Sequence, residues 1–359
     1  MQRTLVAACT ALSLSACGGG SDGRATFPIN QPPVATELCT DTYHGQNITI
    51  SLTASDRETA SQELVYQLPD ESVGGALVLQ SSGWNGSAYE AVYAASPDAD
   101  WGRHTIAYTV TDSDGAADTA EVKVIIRPRI MPLGDSITTG MHDGRTEPAG
   151  YRDRLWTRLV DDGYRVDFVG SETSGTSEMD RNHEGKNGIR SRSYPDGYDA
   201  SYPDGGIGEQ IDSWLTRNPA DLILLHIGTN DLQTGKTPDQ VHQGIQQILT
   251  NIRDWAGAEA SVTRAEVLLA QIIGADEPSA FTNADVLRLN RDLLPEFEGD
   301  GVKLVDQYAA LDRDGNGVPD ADLYANQLHP DRDGYEAMAD AWYEKLEPVL
   351  AEARCPAPL

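Results

Sequence analysis

Two patterns of hydrophobic and polar positions follow each other along this chain. Between residues 34 and 127, short segments such as 48–52 and 104–110 alternate apolar and polar residues, and Gly, Asp, Ser and Pro separate them. Alternation with a period of two is typical of half-buried strands, and short strands at this spacing are typical of a β-sandwich. The pattern therefore predicts an all-β sandwich domain over residues 34–128, without helices.

Beyond residue 128 the chain changes to continuous apolar runs and helical spacing. Residues 222–227 and 267–273 are almost entirely apolar, which is typical of parallel strands covered on both faces. Apolar side chains recur at helical spacing in 151–162, 238–255, 283–297 and 333–350. Strands alternating with helices predict an α/β domain with a doubly wound, mostly parallel sheet over residues 129–359.

The first 33 residues have a composition of their own. A basic tip, a short apolar stretch at 5–14 and small residues ending in Leu14-Ser15-Ala16-Cys17 predict an export signal over residues 1–17. This tetrad resembles the bacterial lipobox, which implies cleavage before Cys17, acylation of that cysteine and a lipid anchor in the cell envelope, at the outer membrane or cell surface. A plain secretory peptide is the alternative. Residues 18–33 are small and polar, and we expect a flexible tether.

Composition narrows the classes of partner. A length of 359 residues favours two domains, and a net charge of −29 argues against nucleic acid, because phosphate binding needs clustered positive charge. The membrane is expected as a partner only through the lipid anchor, and we expect a monomer. In an oxidising compartment Cys39 and Cys355 either form a disulfide or stay as separate thiols.

Candidate chemistry lies where apolar runs end. In open α/β sheets the site lies at the carboxyl ends of the strands. Ser136 follows the apolar run 130–133 in a Gly-Asp-Ser turn, Asn230 follows the run 222–227, and His329 precedes the last helix. A serine in such a turn is either an ordinary turn residue or a nucleophile, and a histidine that accepts its proton makes it a nucleophile.

Residues 134–138, 228–231 and 328–330 resemble blocks one, three and five of the SGNH (GDSL-type) hydrolases, in the same order. The resemblance implies a serine esterase in which Ser136 attacks and His329 is the base. It also implies an oxyanion hole made by the Ser136 N–H, a glycine of block two and the Asn230 amide, with no cofactor required for catalysis. Segments 150–155, 166–171 and 183–185 look like the carbohydrate-esterase branch that includes acetylxylan esterases. The implied substrate is an acyl ester, acetyl first, on a sugar.

Two positions of this resemblance are ambiguous. Block two offers Gly188 as the oxyanion donor and Gly205 as an alternative, with a loop insertion between them. The family usually carries Asp three residues before the histidine, whereas this chain has Asn326. His329 is then oriented by Asn326 or a backbone carbonyl, which we favour, or by a substitute acid such as Asp322, or the enzyme is impaired.

A second acidic segment precedes His329. Oxygen-bearing residues alternate there around a glycine as in a calcium loop, but the twelfth position is Leu323, so a structural calcium site and a plain acidic turn both remain open. The candidate ligands are Asp312, Asp314, Asn316, Val318 and Asp320. His226, inside an apolar run, is expected to be a satisfied core residue, and His183 an anchor of the block-two loop.

Residues 52–56 and 108–115 resemble bacterial cadherin-like or immunoglobulin-like repeats, which implies that the sandwich is a spacer or a glycan-contacting module. Two other functions compete with the carbohydrate esterase. One is a lipase or lysophospholipase, and the other is a surface binding or adhesion protein whose hydrolase domain has lost activity.

Overall fold

The computed structural model describes residues 29–69, 73–196, 202–258, 265–275 and 279–355. The predicted signal peptide, Cys17 and the tether up to residue 28 lie outside the described residues.

Strands build the N-terminal part and alternate with helices in the rest. The strands are β1 Val34–Ala35, β2 Leu38–Thr42, β3 Asn47–Leu52, β4 Ala54–Ser55, β5 Val65–Gln67, β6 Leu77–Trp84, β7 Tyr89–Ala95, β8 Gly102–Thr111, β9 Ala117–Ile126, β10 Arg129–Gly134, β11 Asp167–Phe168, β12 Glu172–Thr173, β13 Asn182–Gly185, β14 Leu222–His226, β15 Glu266–Gln271 and β16 Val302–Asp306. The helices are α1 Ser136–Thr139, α2 Tyr151–Asp161, α3 Ile207–Arg217, α4 Thr229–Gln233, α5 Pro238–Ala258, α6 Asn283–Leu287, α7 Gln307–Ala310 and α8 Arg332–Leu346.

The N-terminal strands form a β-sandwich. One sheet has the order β2-β9-β8-β5 and the other β3-β7-β6, with β1 and β4 as a small separate pair. In β3 every second side chain is buried, which is the alternation that the sequence predicts for a strand covered on one face. The inward side chains of both sheets make one hydrophobic core, and the only helical turn among the described residues here is the short 3₁₀ segment Ser61–Glu63.

The C-terminal part is organised by a sheet of order β12-β13-β10-β14-β15-β16, in which β11 also pairs with β10. Strands β10, β11, β13, β14, β15 and β16 are parallel, and β12 is antiparallel. Both faces are covered. Met131 and Ile223 belong to the core beneath α3 and α5, whereas Ile130 and Leu222 belong to the core beneath α2 and α8. The fold is a doubly wound α/β sheet with an N-terminal sandwich, which confirms the prediction.

Helix 283–297 differs from its prediction. The segment is divided into α6, a π-helical turn Arg288–Leu293 and a 3₁₀ turn Leu294–Phe297. Asn290 explains the break, because its side chain exchanges two hydrogen bonds with the backbone of Ile272, just beyond β15. A π-turn rotates this side chain towards the sheet, and Pro295 then removes a backbone donor.

The sandwich packs against the amino ends of the sheet strands. Asp221 lies just before β14, accepts three hydrogen bonds from Arg129 and lies 3.6 Å from Nε2 of His44 in the sandwich. A disulfide between Cys39 and Cys355 also joins the two parts. Because β10 is six residues long, this interface lies on the order of 20 Å from the carboxyl end of the strand.

In the ranges described above, none of the helices combines the length and the apolar character needed to cross a membrane.

Candidate active site

Ser136 lies where β10 meets the sharp turn into α1. Asp135 caps that short helix by accepting the N–H of Ile137 at 2.9 Å. Gly134 allows the turn, since a Cβ there would come 2.2 Å from the carbonyl oxygen of His226 on β14. The chain leaves α1 through Gly140 at φ 91°, a conformation that glycine adopts readily. The serine is thus held rigidly at the carboxyl edge of the sheet.

His329 reaches Ser136 from the loop before α8. Its Nε2 lies 2.8 Å from Ser136 Oγ, although 193 residues separate the two in the chain. The loop is a tight turn, in which Tyr324 and Pro330 form a bridge and the N–H of Ala325 donates to the carbonyl of His329 at 3.0 Å. A nucleophile and a base within hydrogen-bond distance form the core of a hydrolytic site.

Asn326 contacts the other ring nitrogen of His329. Its Oδ1 lies 3.1 Å from Nδ1 and also accepts the backbone N–H groups of Leu328 and His329 at 2.9 and 3.0 Å. Two backbone donors identify this atom as the oxygen of the amide, so Nδ1 must carry the proton. Nε2 is then left as the acceptor that faces Ser136.

Asp322, the alternative acid, points elsewhere. It is exposed and accepts a hydrogen bond from Nη2 of Arg313 at 2.6 Å, and the structure gives it no hydrogen bond to His329.

Three groups were predicted to donate hydrogen bonds to an oxyanion, and they differ in whether they already have an acceptor. Among the described residues, the N–H groups of Ser136 and Gly188 have no hydrogen-bond acceptor. Asn230 differs, because its Nδ2 donates to Asp135 Oδ2 at 3.1 Å and to the carbonyl of Ile189 at 3.0 Å. In this conformation Asn230 joins the loops that carry Ser136 and Gly188. It reaches an oxyanion only after it releases one of those acceptors.

Gly205 is committed to another contact. Its N–H donates to the carbonyl of Tyr202 at 3.0 Å, and its own carbonyl accepts Nε2 of Gln210 at 2.7 Å. Gly205 therefore stabilises the turn that leads into α3, whereas Gly188 keeps a free donor.

Burial sets the charge states of the site. It lowers the pKa of His329 to about 4, with a smaller contribution from the neighbouring His142, so His329 is neutral at pH 7 and able to accept a proton. Burial raises the pKa of Asp135 to about 7, and the nearby Asp231 adds to that rise. The Asp231 carboxylate accepts from the N–H and hydroxyl of Ser191 and from the hydroxyl of Tyr194.

Two known protein families have models that match segments of this chain. The model of the GDSL-like lipase/acylhydrolase family matches residues 133–337, a segment that contains Ser136, Gly188, Asn230 and His329. The chain belongs to this family. A bacterial Ig domain model matches residues 30–125, which confirms the immunoglobulin-like character of the sandwich.

Individual relatives of this GDSL-type chain were also found. It is 30% identical over 239 residues to a multidomain esterase of Ruminococcus flavefaciens, a match that covers 62% of this chain and 29% of that protein. A carbohydrate acetylesterase family member from Sinorhizobium meliloti is 17% identical, covering 62% of this chain and 99% of the other with a TM-score of 0.45. Esterase EstA from Pseudoalteromonas sp. is 18% identical, covering 62% and 98% with a TM-score of 0.37. These structural likenesses carry no argument about activity.

Two other histidines of this GDSL-type domain differ from each other. His183 matches its prediction as a loop anchor, because its Nε2 lies 2.9 Å from Ser174 Oγ and its Nδ1 accepts the N–H of Gly185 at 3.0 Å. His226 is fully buried, as expected of a core residue, but neither of its ring nitrogens hydrogen bonds within the described ranges. The prediction that it is satisfied is therefore wrong. Its pKa is lowered to about 4 by burial, so it is packed as a neutral ring.

The acidic loop before His329 bonds largely to itself. Asp314 and Asn316 accept backbone N–H groups two residues further on, and Arg313 donates to Asp320 at 2.7 Å. In the part of the chain that is described, no group of three or more His, Cys, Asp or Glu side chains is arranged to hold a metal ion. Asp312, however, is 6% exposed and its Oδ1 is buried without a hydrogen-bond partner. Such an oxygen suits a cation, so calcium at this loop stays a prediction.

A shallow cleft adjoins α1 on the block-two side. Its volume is about 350 Å³. It is lined by Thr139, Glu172, Thr173, Ser174, His183, Gly185, Lys186, Asn187 and Tyr202. The lining combines polar groups with the carbon atoms of the same side chains and the ring of Tyr202, and the charge of Lys186 is balanced by Glu172 and Glu184.

Sequence reasoning missed one residue at this site. His142 is exposed, and its ring centre lies 4.9 Å from that of His329. A signal for it was present, since it comes four residues after the end of block one and lies between Gly140 and Gly144 in a loop.

Proposed function

We propose that this chain is a serine esterase that hydrolyses acyl esters, acetyl first, on carbohydrate by a Ser-His mechanism. The observation that carries the proposal is the 2.8 Å contact between Ser136 Oγ and His329 Nε2. The family match and the 30% identity to a multidomain esterase support it.

The first half of the reaction forms an acyl-enzyme. Neutral His329 takes the proton of Ser136 while Oγ attacks the ester carbonyl, and Asn326 stabilises the required tautomer by accepting from Nδ1. The carbonyl oxygen becomes an oxyanion. The N–H groups of Ser136 and Gly188 are the free donors that meet it, and Asn230 joins them when it releases Asp135 or Ile189.

The intermediate collapses when the leaving alcohol takes a proton from the Nε2 of His329. Water then enters, His329 accepts its proton, and the hydroxide attacks the acyl-Ser136 ester through a second tetrahedral intermediate. This intermediate collapses when the bond between the acyl carbon and Ser136 Oγ breaks and His329 returns its proton to Oγ, which releases a carboxylic acid and the free enzyme. The proposed reaction uses backbone and side-chain groups of the chain and one water molecule, and it needs no cofactor.

The chemistry of the cleft favours carbohydrate over lipid. Hydroxyl, amide and charged side chains surround it, together with the ring of Tyr202. Sugar hydroxyls can form further hydrogen bonds with such groups, whereas the acyl chain of a lipid offers them none. A lipase-type acyl hydrolase is therefore the weaker alternative, and a preference for long acyl chains would identify it.

We further propose that the enzyme is exported and anchored by lipid at Cys17, with the sandwich as a spacer. The sandwich contacts the amino ends of the sheet strands, at the opposite end from Ser136, which supports a spacer rather than a module that touches the substrate at the active site.

A panel of esters tests the activity. Purified protein is assayed on p-nitrophenyl acetate, butyrate and decanoate and on acetylated xylan. We expect acetate release that is abolished in Ser136→Ala and unchanged in Ser213→Ala, an exposed serine of α3. If the wild-type protein hydrolyses none of these esters, or Ser136→Ala keeps more than a few per cent of the activity, the proposal is wrong. Complete inactivity of a folded protein would favour a binding or adhesion function.

A further inference from the structure

His142 lies beside the catalytic histidine and has an unusual backbone conformation, and it has no role in the reaction described above. Its ring contacts the catalytic His329 with a centre-to-centre distance of 4.9 Å and an interplanar angle of 44°. The residue is exposed, and its φ is 67°, in the left-handed region that non-glycine residues rarely adopt. Such conformations persist where the surrounding structure holds them, and they cluster at functional sites.

The loop that carries His142 is held firmly. The buried Asp143 accepts the N–H groups of Ala149 and Gly150 at 2.8 and 3.0 Å, and it pairs with Arg145 at 3.0 Å. On the other side the hydroxyl of Tyr335 donates to the carbonyl of Met141 at 2.8 Å. His142 is therefore presented at a fixed place beside His329.

The direction of proton transfer indicates which part of a substrate would contact the ring of His142. The leaving alcohol takes its proton from Nε2 of His329, so its oxygen must come within hydrogen-bond distance of that atom. The alcohol moiety then lies beside His329, and the exposed ring of His142 is in contact with that histidine. The acyl group, by contrast, is bonded to the carbon held between Ser136 and the oxyanion donors.

We propose that His142 contacts the alcohol moiety of the ester and gives the site its preference for alcohols that carry further hydroxyl groups, such as sugars. This inference rests on the esterase function proposed above. An imidazole both donates and accepts hydrogen bonds and presents a flat ring, which suits neighbouring hydroxyls and the face of a sugar. His142 is thus a specificity residue for the leaving group and not for the acyl group.

The test uses three acetyl esters that differ only in the alcohol. An acetylated methyl xyloside carries further hydroxyls, ethyl acetate has none, and p-nitrophenyl acetate has a leaving group that departs without a proton. kcat/KM is measured on each for the wild type, His142→Gly and His142→Asn. Both substitutions suit a left-handed backbone, since glycine and asparagine tolerate it.

We expect His142→Gly to lower kcat/KM on the xyloside about tenfold, the effect of one lost hydrogen bond, and to change the other two esters less than about threefold. Asparagine keeps a donor and an acceptor on a shorter side chain, so we expect kcat/KM of His142→Asn on the xyloside to lie between the values of the wild type and His142→Gly. Asp300→Gly is the matched control, because Asp300 is also a non-glycine residue at positive φ but lies in the turn before β16, at the amino end of the sheet and away from Ser136. It should leave all three esters unchanged.

Equal losses on all three esters would overturn the proposal, since His142 would then act on His329 or on folding. No loss on the xyloside would overturn it as well. Hydrolysis of p-nitrophenyl acetate that depends on Ser136 separates these results from a failure of the esterase function, in which the wild type itself would be inactive on every ester.

Discussion

Asn326 Oδ1 accepts from His329 Nδ1 across 3.1 Å while it also accepts two backbone N–H groups of its own turn. The turn fixes the amide with its oxygen towards the imidazole, so the productive tautomer is selected without a carboxylate. What the amide lacks is negative charge. In the proposed mechanism, the imidazolium that forms during attack is therefore stabilised less than it would be beside an aspartate.

Restoring that charge by Asn326→Asp should raise kcat by about tenfold, well short of the factor of about 10⁴ seen when a triad loses its acid, because Asn326 is exposed and its charge is screened. In the proposed mechanism, activity requires neutral His329 and is lost as the pH falls through its pKa, which burial lowers to about 4. The carboxylate raises that pKa, so the acid limb of the kcat/KM profile should move to higher pH. Stopped assays from pH 3 to 9 measure both effects.

Asp322→Ala is the matched control for this substitution. Asp322 pairs with Arg313, so its removal should change neither turnover nor the pH profile. A large loss there, without a gain from Asn326→Asp, would mean that Asp322 supplies the acid. If neither change has any effect, no side chain at either position assists His329.

The disulfide between Cys39 and Cys355 should stabilise the protein without contributing to catalysis. It closes a loop of 316 residues, for which the chain-entropy model gives a stabilisation of about 6 kcal/mol as an upper value. Cys39→Ser with Cys355→Ser should lower the urea midpoint and leave kcat unchanged, because the bridge lies at the end of the sheet remote from Ser136. A large fall in kcat of the folded variant at low urea would contradict this separation.

Chelation tests the acidic loop. If calcium satisfies the buried Oδ1 of Asp312, it binds only the native state and stabilises it by about 2.7 kcal/mol at a hundredfold excess over Kd. EDTA should then lower Tm and activity, calcium should restore both, and Asp312→Asn should remove the response. If neither chelator nor added calcium changes Tm, the loop is a plain acidic turn.

Membrane partition tests the amino terminus. Cys17→Ser should release the protein from the membrane fraction in soluble form or leave its signal uncleaved, because acylation is what would hold it there. Equal partition of variant and wild type after a salt wash would rule out the lipid anchor.

Much of the architecture followed from the sequence, because local patterns carry it. Alternation in strands such as 48–52 and continuous apolar runs such as 222–227 report directly whether one face or both faces of a strand are buried. The break of the helix at 283–297 did not follow, since it depends on Asn290 bonding to the backbone of Ile272 after the sheet has formed.

The sequence by itself singled out Ser136 and His329 as candidates, because they follow or precede elements whose periodicity is readable and because the segments around them resemble a known family. Only the tertiary structure decided how the ambiguous groups are used. Backbone hydrogen bonds in its own turn orient Asn326 to accept from His329. The N–H of Gly205 donates within a turn, whereas that of Gly188 does not. The ring of His142 lies against that of His329. These outcomes depend on hydrogen bonds and ring contacts between loops distant in the chain or on the local course of a turn, and no periodicity in the sequence records either.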